Sequence, residues 1–204
     1  MFSATKDRIR HFAHDERGTM LVEFVIVAPL LFWVIVSMFS YWDVYRSMNT
    51  LQKAAYTVSD IVSRTNEDVG LDANDFAGYK SLLNYLIQQP QQASIRITNI
   101  QWDATNNEYV SVWSCSPDGD LAAYATDDLN NSDVRDYLPV MPDDDTVILV
   151  ETLLDYDPIF YIRVPFYGDP TLDEMGNLVM KQFVVTRPRL APSIIMDSCS
   201  AAPV

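Results

Sequence analysis

The run from Phe24 to Trp42 contains no Asp, Glu, Lys or Arg. A helix that crosses a bilayer needs about 20 such residues. No other feature of the chain constrains its fold as strongly, because so long an uncharged apolar helix has to be surrounded by lipid or protein. Glu23 stands at the start of the run. An acidic side chain near the centre of a membrane helix costs roughly 2.5–3.5 kcal/mol, and less near an interface. A carboxylate at this place is therefore a functional-site candidate. A cleaved secretory signal is a poorer account, since its apolar core is usually about 7–15 residues long and ends in a small-residue cleavage site. Here the run ends in Ser40-Tyr41-Trp42-Asp43.

Charge gives the run a direction. Lys6, Arg8, Arg10 and Arg17 precede it, whereas Arg46 and Lys53 are sparser on the far side. By the positive-inside rule the N-terminus is cytoplasmic and the remainder lies outside. The four acidic and four basic residues before Asp43 cancel, so the whole formal charge of −14 belongs to the outer part. An acidic ectodomain argues against nucleic acid and anionic lipid as its partners. It is compatible with a periplasmic domain or with a basic partner surface.

The chain has two cysteines, Cys115 and Cys199, both beyond the apolar run. An even pair in an oxidising compartment suggests one disulfide, the alternative being two free thiols. Both histidines, His11 and His14, precede the run, so neither a zinc site nor a Cys–His nucleophile can form outside the membrane. No phosphate-binding loop, dinucleotide-binding glycine pattern or G-x-S-x-G motif occurs. The acidic clusters Asp118–Asp120, Asp127-Asp128 and Asp143–Asp145 lack the twelve-residue EF-hand spacing. They read as solvated loops, with calcium binding kept open. No pair of carboxylates stands out for hydrolysis, so the expectation is a non-enzyme with no metal and no cofactor.

Residues 1–18 read as a leader, 19–43 as the membrane helix, 44–64 as its outer continuation and 65–204 as an α+β domain. Val44, Met48, Leu51, Ala55, Val58 and Val62 form an apolar stripe at helical spacing. That stripe packs on the chain's own sheet or on a neighbouring subunit. From Thr19 to Ser63 one helix would run roughly 70 Å. Pro29 withholds a donor from the Val25 carbonyl and predicts a kink, which neighbouring membrane helices can tolerate. Asp72 or Asn74 caps a second helix that carries Phe76, Tyr79, Leu83, Leu86 and Ile87 on one side and stops before Pro90.

Strands follow that helix. Ile95 and Ile97 alternate, then Ile100 and Trp102 alternate one step out of phase, which suggests a bulge. Tyr109–Trp113 is a strand after an Asn106-Asn107 turn. Thr146–Tyr156 is apolar on both faces except at Glu151 and Thr152, as a central strand would be. Leu178–Thr186 follows a turn over residues 173–177.

Gly18, then four residues, then Glu23-Phe24 resembles the processing site of type IVb prepilins. The string over residues 17–31, RGTMLVEFVIVAPLL, resembles the N-terminal signature of TadE/TadF-like minor pseudopilins of the tight-adherence (Flp) pilus machinery. The resemblance implies a pilin-like α+β fold, with a long N-terminal transmembrane helix packed on an antiparallel sheet of about four strands. It implies that a prepilin peptidase cuts between Gly18 and Thr19, leaving Glu23 fifth in the mature chain and facing the new Thr19 ammonium. It also carries a proline at position 29. The implied partners are that peptidase, other pilins and pseudopilins, the inner-membrane assembly platform and membrane lipid. The expected function is structural, in pilus biogenesis at the bacterial inner membrane. Two alternatives remain: an uncleaved anchored assembly factor, and a bitopic sensor for calcium or another ligand.

Overall fold

The computed structural model describes residues 19–66, 70–117, 119–131, 133–157 and 178–199. The leader, Gly18, Asp118 and the expected turn at 173–177 lie outside them. Two compact units are present, one ending at Asp43 and one beginning at Val44. Helix α1, Thr19–Ser63, is continuous through Pro29. Helix α2, Ala73–Ile87, starts at Asp72, whose side chain accepts the Asn74 and Asp75 amides while the Asp75 side chain accepts the Asp72 amide. This reciprocal cap satisfies donors that the first turn would leave orphaned. The helix ends as Gln88 turns left-handed, at φ 55°.

Four strands follow: β1 Ser94–Asp103, β2 Glu108–Cys115, β3 Thr146–Tyr156 and β4 Leu178–Thr186. They form one sheet in the order β2-β1-β3-β4, with every neighbouring pair antiparallel. The fold is α+β, with a long N-terminal apolar helix and a four-stranded antiparallel sheet, as expected. Asp103 nucleates the β1–β2 turn by accepting the Thr105 and Asn106 amides, and Asn107 takes φ 57°.

In the second unit the outer half of α1 and the apolar side of α2 cover one face of the sheet. Leu51, Val58, Val62, Phe76 and Leu83 meet Ile95, Ile97, Trp113, Ile148 and Val150 in one buried cluster. The stripe therefore packs on the chain's own sheet. It departs from expectation at Met48, which is 40% exposed, whereas Ser47 is 2% exposed and accepts a hydrogen bond from Gln89 Nε2 at 3.0 Å. Both lie one turn before Leu51, and packing selects the position four back.

The opposite face is covered by a short helix, α3 Thr126–Asn131, and a 3₁₀ turn, Asp133–Tyr137. Here Ile100, Tyr109, Leu129, Val134, Val147 and Leu149 form a second cluster. This two-faced burial explains the phase change in β1. Ile95 and Ile97 point to the helix side, and Ile100 and Trp102 to the other. The strand itself keeps regular register with β3. The bulge exists, but its extra residue is in β2: Asn99 faces Trp113 while Ile100 faces Ser111, leaving Val112 unpaired. In an unbulged strand Tyr109 and Trp113, four positions apart, would share a face; across the bulge they enter different clusters.

Candidate functional site

The first unit presents an unburied apolar helix. Its eighteen-residue apolar window is 0% buried, and by length and composition it can cross a membrane. Phe24 is 71% exposed, and Glu23 and Pro29 are also exposed. Thr19 and Glu23 stand four positions apart in the helix, which puts them one turn apart on one side. The hydroxyl of Ser37 donates to the Trp33 carbonyl at 2.9 Å, so that polar group is satisfied within the helix. A satisfied hydroxyl is what an apolar surrounding demands.

Residues 18–60 match the family model described as TadE-like protein. Over these residues the chain is similar to TadE-like proteins. The TadE-like segment begins at Gly18, takes in Thr19, Glu23, Phe24 and Pro29, and ends within the part of α1 that packs on the sheet. It is consistent with a TadE-like protein of the tight-adherence pilus system. No curated protein and no solved structure matches the chain.

Beyond the TadE-like segment, Cys115 and Cys199 are joined, with Cα atoms 5.4 Å apart. The disulfide ends a C-terminal strap. Arg189 N donates to the Ser63 carbonyl, and Leu71 exchanges backbone hydrogen bonds with Ile195 and Asp197. Ile194 is buried, and its carbonyl accepts Trp113 Nε1 at 2.7 Å and Asn99 Nδ2 at 3.1 Å. The strap thus joins the end of α1, the start of α2 and the middle of the sheet.

A cluster that the sequence did not single out lies on the sheet's second face. Arg96 and Glu151, paired across β1 and β3, are 7% and 4% exposed and form a buried ion pair. Arg96 Nε donates to Glu151 Oε2 at 2.9 Å, Arg96 also donates to the Ala122 carbonyl, and the Tyr124 hydroxyl donates to Oε2 at 3.1 Å. The Arg96 guanidinium lies 3.4 Å from the centre of the Tyr124 ring. Burial, followed by the Glu151 carboxylate, pushes the Tyr124 phenol up to about 12. The cluster borders a cleft of about 580 Å³, lined also by Leu153, Lys181 and Phe183. Its signal in the sequence was Arg96 between Ile95 and Ile97, and Glu151 after the apolar run Val147–Val150.

The described members of the acidic clusters make local and cross-element contacts. Among the described residues there is no group of three or more His, Cys, Asp or Glu side chains placed to hold a metal ion. Asp120 accepts from Lys80 at 3.0 Å and from Ser94, and the Lys80 ammonium leads in holding its carboxyl below the usual range. Asp128 accepts the Ala125 amide, and Asp143 accepts the Ala104 amide. Asp128 thus fixes its own turn, whereas Asp120 and Asp143 tie their loops to α2, β1 and the β1–β2 turn.

Proposed function

We propose that this chain is a minor pseudopilin of a tight-adherence type IVb pilus machine, processed by a prepilin peptidase and acting structurally in pilus biogenesis. The observation that carries the proposal is the spacing of Gly18, Thr19 and Glu23-Phe24 at the head of a TadE-like helix. Gly18 adds no side-chain bulk in a protease cleft. Cleavage after it creates an ammonium at Thr19 one turn from Glu23. A carboxylate in low dielectric is costly unless it is paired, and processing supplies the pairing charge, in its own chain or a neighbour's. The leader is cytoplasmic and the sheet domain periplasmic, in keeping with the positive residues before the apolar run. The partners are the peptidase, other pilins through their membrane helices, and the inner-membrane assembly platform.

Co-expression with the cognate prepilin peptidase tests this. Mass spectrometry of the membrane-extracted protein is expected to find a chain beginning at Thr19, and Gly18→Arg is expected to stay full length. An intact wild-type chain beside a peptidase that cuts a control pilin would replace this reading with that of a permanently anchored assembly factor.

A further inference from the structure

Helix α1 leaves its uncharged run through three exposed aromatic residues. Tyr41, Trp42 and Tyr45 are 75%, 54% and 60% exposed, and together they rise only about 6 Å along the axis. Tyr and Trp concentrate at membrane–water interfaces because an apolar ring carries a polar tip. Asp43 and Arg46 stand among them, so charge reappears where the aromatic group begins. The other end of the run is built differently. Its first aromatic residue, Phe24, has no polar tip, and the cations Lys6, Arg8, Arg10 and Arg17 precede it. From Tyr41 back to Thr19 the helix rises about 33 Å, close to the roughly 30 Å of a hydrocarbon core.

We infer that Tyr41, Trp42 and Tyr45 form a girdle seated in the phospholipid headgroup layer, and that it fixes the depth of α1 in the membrane. The inference rests on the membrane-anchor part of the reading above and extends it. Cleavage after Gly18 removes all four leader cations and leaves only the Thr19 ammonium at that end, so the girdle holds the outer end of the mature helix. Trp33 lies nine residues before Trp42 in the same helix, about 13 Å deeper, and serves as an internal ruler.

The test uses the full-length, uncut chain in phosphatidylcholine vesicles whose acyl chains carry bromine either near the glycerol end or near the methyl end. Bromine quenches tryptophan at its own depth. The Trp42 signal is the difference between W33F and the W33F/W42F double variant, which cancels Trp102 and Trp113. The Trp33 signal comes from W42F in the same way. The expected result is a greater loss of Trp42 intensity with shallow bromine and a greater loss of Trp33 intensity with deep bromine. Equal quenching of Trp42 by the two lipids, stronger quenching by the deep one, or quenching by neither would overturn the girdle. Because the chain is uncut, this outcome is independent of whether the peptidase accepts Gly18.

Discussion

Glu151 places a negative charge in the middle of a buried strand, and its stability depends on what surrounds it. Oε2 receives Arg96 and the Tyr124 hydroxyl. Removing one partner of a buried ion pair strands the other charge, at about 3–5 kcal/mol, whereas replacing both with apolar residues is often neutral. Glu151→Ala is therefore expected to lower unfolding stability by about that amount, and Arg96→Met with Glu151→Leu to recover most of it. Denaturant unfolding followed by near-UV circular dichroism measures both; equal losses in the single and double variants would refute the account. Tyr124 adds a pH signature. Its folded phenol is raised from 10.0 to about 12, so above pH 10 the unfolded state gives up a proton that the folded state keeps. Stability then falls from about pH 10 and levels off above about pH 12. Tyr124→Phe is expected to flatten that decline relative to wild type, and superimposable pH profiles would contradict it.

Single elements in this chain are set by a few decisive residues. Helix α2 begins where Asp72 and Asp75 cap each other. The hydrogen bond from the Asp75 amide is the leading cause of the lowered Asp72 pKa. A lowered folded pKa gives stability that is present above the unfolded value of 3.8 and lost as pH falls through the folded one. Asp72→Ala should reduce the denaturation midpoint at neutral pH, and the gap from wild type should close in acid. A gap that persists unchanged to the acid limit would assign the effect to packing. Strand β2 turns on Val112: as the unpaired residue of the bulge it lets Tyr109 and Trp113 serve opposite cores. The phase change visible in β1 reflects burial on both faces of that strand, whereas the extra residue belongs to its partner β2, which only the pairing register reveals.

At the scale of the molecule, the strap ending at Cys199 joins parts of the second unit that are remote in sequence. The disulfide closes a separation of 84 residues, and a loop of that length contributes roughly 4.5 kcal/mol in the chain-entropy model. Cys115 is fully buried, so the intact protein is expected to resist alkylation until reduced and unfolded. Cys115→Ser with Cys199→Ser should lower stability by roughly 2–5 kcal/mol, read as a shift in the denaturation midpoint of the full chain in detergent. Labelling of both cysteines without reductant would show that they are not joined in the native protein.

The sequence by itself determined the uncharged helix, the spacing of Gly18, Thr19 and Glu23, the strand positions and the even pair of cysteines. Each of these is a local pattern or a count, and period and composition are sufficient to read it. Three features were decided only by the tertiary structure. The stripe on α1 is compatible with the chain's own sheet or with a neighbour, and contact with Ile95, Ile97 and Val150 selected the sheet. Met48 and Ser47 are both at helical spacing from Leu51, and the approach of Gln89 turned Ser47 inward. Arg96 and Glu151 lie 55 residues apart, and the β1–β3 register set them opposite one another. Strand register depends on long-range pairing and on which faces are covered. A local pattern can therefore name the two charges but cannot pair them.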